Sequence, residues 1–273
     1  MVNQHEKGAR LRALHEAPGV FIMPNAWDGG SACVLAGLGF EALATSSVAC
    51  AGTLGRVDGK VTREEALTHA RNIVAATDRP VSADLEKGFG DAPGVVAETI
   101  RLAAEAGLVG GSIEDATGEE GRPLFDLGAA VERVAAAAEA ARALPFPFTL
   151  TARAENYLRG KPDLDDTIRR LQAYERAGAD VLFAPALPDL SAVRTVCQSL
   201  TKPVSFMVAI RGKSFSVAEL AAAGVRRISL ATSLYRVAMA GLVAAAKEVK
   251  ESGTFGFLDG AMTTAEINRY LRN

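Results

Sequence analysis

The stretch PVSADLEKGFGDAPGVVAETIRLAAEAGLVGGSIED, residues 80–115, holds a complete strand–helix–strand unit within a chain of 273 residues. Two short β-rich runs, 80–86 and 110–115, flank a helical pattern over 94–106 that ends at Gly107. A glycine directly after the last helical residue is a common helix stop. Two strands joined through such a helix predict a parallel pair, because the crossover helix brings the chain back to the same end of the sheet.

The same unit recurs along the whole chain. Further β-rich runs lie at 20–27, 42–47, 148–155, 180–186, 203–208 and 226–233, with helical patterns at 63–77, 129–143, 164–177 and 217–223. Glycines again precede the next strand at Gly39, Gly178 and Gly224. Eight strand–helix units at a pitch of roughly 30 residues predict an α/β fold of the (β/α)8 TIM type, with an open doubly wound sheet as the alternative.

No linker or charge block divides the sequence, so we expect one barrel domain over 1–273. An N-terminal helix is expected within 1–18 and a C-terminal extension over 253–273. In that extension, Thr263 and Glu266 have the spacing of a capping box and predict a last short helix.

Composition excludes several classes of function. The net charge of -2 and the lack of a dense basic cluster argue against nucleic-acid binding. No apolar run reaches the ~20 residues that span a bilayer, and we do not expect the polar N-terminus to be a secretory signal. Three cysteines, Cys33, Cys50 and Cys197, without CxxC spacing predict neither a disulfide framework nor a zinc site. We therefore expect a cytoplasmic protein.

Carboxylates follow two neighbouring predicted strands. Asp84 and Glu86 end the third strand and Glu114 ends the fourth, at the barrel face where chemistry is found in this fold. Converging carboxylates repel one another unless a cation neutralises them. Oxygen ligands without nearby His or Cys predict Mg2+ or Mn2+. In the alternative interpretation they cap helices or pair with Lys87, Arg122 and Arg153.

Arg153 lies at the end of the fifth strand, where its planar, always charged fork suits a carboxylate or an enolate oxygen. The alternative is an internal pair with Glu155 or Glu114. Ser46 and Ser47, which end the second strand, offer hydroxyl and N–H donors for a second carboxylate. The three histidines lie before the first strand or within a helix, so histidine acid–base chemistry at the mouth is not expected.

These residues resemble the isocitrate lyase/phosphoenolpyruvate mutase superfamily, most closely its mutase-like branch of carboxyphosphonoenolpyruvate mutase and 2-methylisocitrate lyase-like proteins. The D-x-[DE]-x-G-[YF]-G motif at 84–90, the IED at 113–115 and the AR-x-[DE] at 152–155 stand in family order. The likeness runs from about residue 20 to about residue 240. Its other segments are PNAWDGGSACVLAGLGFEALATSS (24–47), LGRVDG (54–59) and the continuation to residue 185.

The resemblance implies a barrel whose eighth helix is exchanged between the subunits of a dimer or tetramer. It implies Mg2+ held by Asp84, Glu86 and Glu114, with Glu86 where the mutases have Asp. The implied ligand is a small carboxylate, a 2-oxo acid or its enolate. Its binding residues would be Ser46, Ser47, Val48, Asp84 and Arg153, with Asp58 as the mobile-loop aspartate used in catalysis.

The chain departs from the family at residues that separate its activities. The loop 116–126, ATGEEGRPLFD, lacks the cysteine and histidine of the lyases. Ala44 and Pro185 replace a tryptophan and a histidine of the mutases. Because its glycines flank two acids after a metal-ligand strand, we expect this loop to act as a lid.

We therefore expect a Mg2+-dependent C–C lyase that acts on a 2-oxo or 2-hydroxy di- or tricarboxylate through an enolate. Oxaloacetate decarboxylation and 2-methylisocitrate-type cleavage are both open, with Asp58, Arg153 and Glu155 as the catalytic residues. One alternative is P–C bond chemistry, which needs several cationic donors near the site. The other is a 2-oxo acid binding protein with weak catalysis.

Overall fold

Eight short parallel strands form one sheet in the computed structural model, which describes residues 2–271. All eight lie inside the predicted runs but are shorter. Their bounds are β1 Phe21–Met23, β2 Leu43–Ala44, β3 Val81–Asp84, β4 Gly110–Glu114, β5 Thr149–Arg153, β6 Val181–Phe183, β7 Val204–Met207 and β8 Arg227–Ser229.

The sheet closes on itself as a (β/α)8 barrel. Each strand pairs with its neighbour in sequence, and β1 pairs with β8. Between β1 and β2 the contact is a single parallel bridge, in which Ala44 N donates to Pro24 O at 2.8 Å and Ala26 N donates to Ala44 O at 2.8 Å. The prediction of a TIM-type barrel is confirmed.

Helices follow the strands around the outside. They are α1 Gln4–Glu16, α2 Gly29–Gly37, α3 Ser47–Thr53, α4 Arg63–Ala75, α5 Pro93–Glu105, α6 Leu127–Arg142, α7 Leu164–Ala177, α8 Leu190–Gln198, α9 Val217–Ala222, α10 Ser233–Ser252 and α11 Thr264–Asn268. The predicted stop glycines Gly39, Gly107, Gly178 and Gly224 all have positive φ. That conformation is strained for residues with a Cβ, so these positions suit glycine.

Strand residues alternate between two environments, as a period of two requires. On β5, Leu150 and Ala152 pack outwards against the helices in the main hydrophobic core. Thr151 and Arg153 point into the barrel, where Arg153 lines the cavity at its mouth. The apolar core therefore lies between sheet and helices, and polar side chains are directed to the barrel axis.

Helix α1 packs across the amino-terminal end of the barrel. Leu11 is fully buried and clusters with Met23, Ala44 and Val109. The side-chain amide of Gln4 donates to Leu108 O at 3.0 Å, which fixes the start of the helix beside β4. Access to the barrel interior is consequently from the carboxyl ends of the strands.

The C-terminal part of the chain lies on the outside. None of the 20 residues of α10 is buried. A 3-10 turn, Gly256–Gly260, leads to α11, which begins with the predicted capping box of Thr263 and Glu266. The Tyr270 ring packs so closely against Gly37 of α2 that a side chain at Gly37 would collide with it. In residues 2–271 no helix is long and apolar enough to cross a membrane.

Candidate active site

The carboxyl ends of the strands surround a cavity of about 740 Å3. The predicted site residues that line it are Ser46, Ser47, Val48, Asp58, Asp84, Glu86, Glu114 and Arg153. The fold therefore brings together side chains from β2, β3, β4, β5 and the loop before α4. Glu155, the remaining predicted residue, is fully buried and lies outside the cavity lining.

Arg153 is the centre of the site. Its Nη1 lies 3.1 Å from Asp84 Oδ1, and its Nη2 lies 3.2 Å from Glu114 Oε2 and 2.9 Å from Glu155 Oε1. The register explains the contacts, because Arg153 is paired with Glu114 across β4 and β5. Burial opposes the charge of Arg153, but the surrounding carboxylates outweigh it and raise its pKa well above the usual value. Arg153 therefore remains a cation.

Arg159 is a second cation that the sequence analysis missed. It lies on the turn six residues after Arg153, and its Nη2 is 3.0 Å from Glu114 Oε1. Its Nε is 3.6 Å from Glu155 Oε2. The sequence pattern points to residues at strand ends, and a side chain that folds back from the following turn carries no such signal.

Glu155 positions Arg153 from behind. Its backbone N–H donates to Asp115 Oδ1 at 2.8 Å, and Asp115 Oδ2 accepts from Tyr174 OH at 2.6 Å and from Arg170 at 3.2 Å. These bonds tie the ends of β4 and β5 to α7. Glu155 is predicted as a catalytic residue, and that role stays a prediction; its buried position suits holding Arg153.

Glu86 has a strained backbone at the edge of the cavity. Its φ is +50°, in the left-handed region that residues with a Cβ seldom adopt. Its N–H donates to Asp84 Oδ1 at 3.2 Å. Burial, followed by repulsion from Asp84, raises the pKa of Glu86 to about 7. Strain and repulsion together indicate a carboxyl group held there for a purpose other than stability.

The predicted carboxylate-binding residues begin α3. Ser46 is the N-cap of that helix, and its Oγ accepts from Ala49 N at 3.5 Å. The N–H of Ser47 donates to Asp84 Oδ2 at 3.3 Å. Val48 is exposed at the cavity edge, and Asp58 reaches the cavity from the exposed turn before α4. Their roles toward a ligand stay a prediction.

The three predicted metal ligands do not form a coordination site in the arrangement seen. Among residues 2–271, no group of three His, Cys, Asp or Glu side chains converges closely enough to hold an ion. The physical reason is Arg153, which binds both Asp84 and Glu114. Burial, only partly offset by Arg153, raises the pKa of Glu114 to about 8.

The charge and chemistry of the cluster nevertheless fit a divalent cation. Four carboxyl groups face two guanidinium groups, which leaves an excess of two negative charges when all six are ionised. The groups are those of Asp84, Glu86, Glu114 and Glu155 and those of Arg153 and Arg159. A divalent cation matches that excess, and donors that are all oxygen suit Mg2+ or Mn2+. Binding would require the side chain of Arg153 to release at least one carboxylate.

The cavity contains more positive charge than predicted. Besides Arg153 and Arg159, its lining includes Lys60, Lys87, Arg227 and Arg236. Arg227 was missed because it begins β8 instead of ending it. A cavity with this many cations suits a ligand with more than one anionic group.

The loop 116–126 is attached at its base. Ala116 pairs with Leu124 in an antiparallel bridge, and the Lys87 ammonium donates to Thr117 O at 2.7 Å. Its tip, 118–122, is exposed. The expected lid movement stays a prediction.

A family model described as phosphoenolpyruvate phosphomutase matches residues 11–250. The chain belongs to the phosphoenolpyruvate phosphomutase family. The resemblance inferred from the motifs is thereby confirmed.

Individual relatives cover most of the chain. The 2-methylisocitrate lyase of Bacillus subtilis (strain 168) is 30% identical over 211 residues, 74% of this chain and 67% of that protein. The 2,3-dimethylmalate lyase of Eubacterium barkeri is 28% identical over 271 residues, 95% of this chain and 92% of its own length. A crystal structure from Burkholderia cenocepacia J2315, provisionally described as a lyase/mutase, is 54% identical with a TM-score of 0.95, covering 98% and 96% of the two chains.

Proposed function

We propose that this protein is a lyase that cleaves a bond next to the 2-oxo or 2-hydroxy carbon of a di- or tricarboxylate and forms an enolate. The observation that carries the proposal is the excess of carboxylates around Arg153 at the mouth of the barrel. The similarity to a 2-methylisocitrate lyase and a 2,3-dimethylmalate lyase supports C–C bond cleavage.

Asp84, Glu86 and Glu114 would hold Mg2+ or Mn2+. A divalent cation there would supply positive charge close to the oxygen on which the enolate charge develops. Arg153 would add fixed N–H donors for the same oxygen, already oriented by Glu155 and the Asp115 network. Preorganised donors of this kind are usually the largest catalytic contribution, about 3–4 kcal/mol for one donor.

Asp58 is the candidate base. It reaches the cavity from an exposed turn and is free of the Arg153 cluster, so it can accept the proton of a substrate hydroxyl. The Ser46 hydroxyl and the amides at the start of α3 would hold the substrate carboxylate next to the reacting carbon. The tip of loop 116–126 would close over the cavity and exclude water.

The test is release of 2-oxo acid from oxaloacetate, 2-methylisocitrate and 2,3-dimethylmalate by EDTA-treated protein, before and after Mg2+ is added back. We expect turnover of at least one substrate only with Mg2+, and its loss in Asp84→Asn. Asp165→Asn, on the outer surface of α7, is the matched control and should retain activity. Equal turnover with and without Mg2+ would refute the proposal.

P–C bond chemistry is a second candidate, favoured by one observation. The four additional cations of the cavity lining supply the donors that a phosphonate requires. Phosphorus NMR of phosphonopyruvate incubated with the protein and Mg2+ distinguishes the two. A new phosphoenolpyruvate or phosphate signal, with no cleavage of the carboxylate substrates, would replace the lyase proposal.

We also infer that the protein is a homo-oligomer that packs through α10. This helix exposes Val237, Leu242, Val243 and Val249, with relative exposures from 40% to 70%. After its first turn, where Leu234 packs on the core and Tyr235 on Trp27, these apolar side chains of α10 stay exposed in the described part of the chain. A second copy that receives α10 would cover it.

A further inference from the structure

The barrel interior beneath the carboxylate cluster is polar. Five inward hydroxyls, all at least partly buried, lie there: Ser82, Ser112, Thr151, Ser205 and Ser229. The interior of such barrels is ordinarily filled by branched apolar side chains. Ser82, Ser112 and Ser229 line the same cavity as Asp84 and Glu114, so the cavity continues downwards from the mouth.

Arg227 lies among these hydroxyls and is only 4% exposed. Its Nε donates to Ser205 Oγ at 3.0 Å, and its Nη1 donates to Thr151 Oγ1 at 3.2 Å. Nη1 also lies 3.5 Å from Nε2 of His15, whose Nδ1 bonds to Leu11 O. All of these partners are neutral.

The guanidinium of Arg227 has no counter-ion in the part of the chain described. No carboxylate of residues 2–271 lies within 4.0 Å of it, and its side-chain hydrogen bonds to those residues run from Nε and Nη1 to neutral groups. The other well-buried arginines are satisfied: Arg153 and Arg170 by carboxylates, and Arg133 by three backbone carbonyls. An unpaired buried charge is costly, so a buried guanidinium surrounded by neutral hydroxyls indicates a site for an anion that enters from solvent.

We propose that Arg227, with the hydroxyls around it, binds the distal carboxylate of a dicarboxylate substrate at the inner end of the cavity. The depth is suitable. Thr151, which Arg227 contacts, precedes Arg153 by two residues on β5, a rise of about 7 Å. A four-carbon diacid has a comparable length, so one end would reach the Arg153 cluster while the other reaches Arg227.

If the protein is the lyase proposed above, a distal carboxylate bound to Arg227 favours one of its two possible reactions over the other. In decarboxylation the distal carboxylate leaves as neutral CO2, and its C–C bonding pair passes into the enolate. A guanidinium paired with that carboxylate stabilises the reactant and opposes the step. In retro-aldol cleavage of a 2-hydroxy diacid Asp58 takes the hydroxyl proton, the 2-oxo carbonyl forms and the C–C bond breaks. The bonding pair enters the other fragment as the enediolate of the distal carboxylate; its carbon then takes a proton from solvent, and Asp58 returns its own proton to solvent. The distal carboxylate gains negative charge beside the guanidinium in this step, so retro-aldol cleavage is favoured.

The binding test does not depend on catalysis. Metal-free protein is titrated with sodium acetate at constant ionic strength, the balance supplied by a bulky sulfonate buffer, and its thermal unfolding is followed. We expect acetate to raise the Tm of the wild type, and the apparent affinity to fall by on the order of 10- to 100-fold in Arg227→Met. Arg227→Lys should recover part of it.

Arg226→Met is the matched control. Arg226 is the adjacent residue, but its Nη1 donates to the backbone oxygens of Ala17 and Gly19 at the surface. The Arg226→Met variant loses one positive charge, as Arg227→Met does, and should leave the acetate-induced rise in Tm unchanged. An equal response in Arg227→Met and wild type would overturn the proposal. So would a chloride response that depends on Arg227 but never competes with a dicarboxylate, because the site would then hold a resident inorganic ion.

Steady-state kinetics provide a second test of the role of Arg227. For whichever dicarboxylate the wild type cleaves, Arg227→Met should raise KM by at least 10-fold relative to Arg226→Met and raise the ratio of oxaloacetate decarboxylation to retro-aldol cleavage. An unchanged KM and ratio would overturn the assignment to substrate. If the wild type cleaves no substrate, the proposed function fails, while the acetate titration still decides whether Arg227 binds a carboxylate.

Discussion

Arg153 is the residue on which the site depends. It binds carboxylates from the ends of β3, β4 and β5, and so holds three strand ends in one cluster. Burial raises the pKa values of Glu114 and Glu155, and the positive charge of Arg153 partly offsets that rise. The same contacts keep Asp84 and Glu114 from an ion, so Arg153 and a cation compete for the same oxygens.

Glu86 provides a test of strain at this scale. Its left-handed φ costs on the order of 1 kcal/mol, whereas Asn accepts that conformation more readily. We expect Glu86→Asn to raise the free energy of unfolding by about 1 kcal/mol in urea titrations, and to weaken Mn2+ binding measured by calorimetry. A variant that is less stable, or that binds Mn2+ as the wild type does, would contradict the role given to Glu86.

His15 provides a pH test. Burial, followed by repulsion from Arg227, lowers its pKa from 6.5 to about 3. As pH falls below 6.5 the unfolded chain takes up the proton first, so the stability that neutral His15 contributes is complete above pH 6.5. This contribution to the free energy of unfolding declines by about 1.4 kcal/mol per pH unit as the pH falls from 6.5 towards 3. The difference in unfolding free energy between wild type and His15→Gln should therefore shrink over this range, and a constant difference would refute the assignment.

At the scale of elements, helix α7 supports the site from outside. Tyr174 and Arg170 of α7 bind Asp115 at the end of β4, and Asp115 in turn holds the backbone of Glu155 after β5. Burial raises the pKa of Asp115, and these donors oppose that rise. The helix thereby fixes the distance between two strand ends.

Removing the Tyr174 hydroxyl, which donates to Asp115, should lower the free energy of unfolding. Tyr174→Phe leaves a buried Asp115 oxygen with one bond fewer, so we expect unfolding to become easier by about 1–3 kcal/mol. Tyr157→Phe, at a half-buried position, is the control and should change little. Equal melting temperatures for the two variants would show that the network does not contribute.

Elements were predictable from sequence to different degrees. The eight strands were found because β-rich runs and stop glycines recur, but their ends were placed too far out, since polar site residues such as Glu86 and Glu155 continue each run past the last ladder pair. Asp84, Glu114 and Arg153 were found because strand ends share one face. Arg159 and Arg227 were missed because one folds back from a turn and the other rises from the start of a strand.

At the scale of the whole molecule, the exposed α10 is the proposed subunit interface. We expect wild-type protein to elute as a dimer or tetramer in size-exclusion chromatography with light scattering. Val237→Glu with Leu242→Glu should shift it to monomer, because two charges would be buried in the interface. Lys250→Gln with Glu251→Gln, at exposed positions of the same helix, is the control. A wild type that is monomeric at all concentrations would contradict the inference.

The barrel is closed at one end by α1 and opens at the other onto the carboxylate cluster, where we expect a divalent cation to bind. The most direct measurement is anomalous diffraction from crystals grown with Mn2+ and oxalate. We predict one Mn2+ peak among Asp84, Glu86 and Glu114, with Arg153 withdrawn from at least one of the carboxylates and directed to oxalate. Oxalate bound to Arg153 with no Mn2+ peak at these carboxylates would contradict the account.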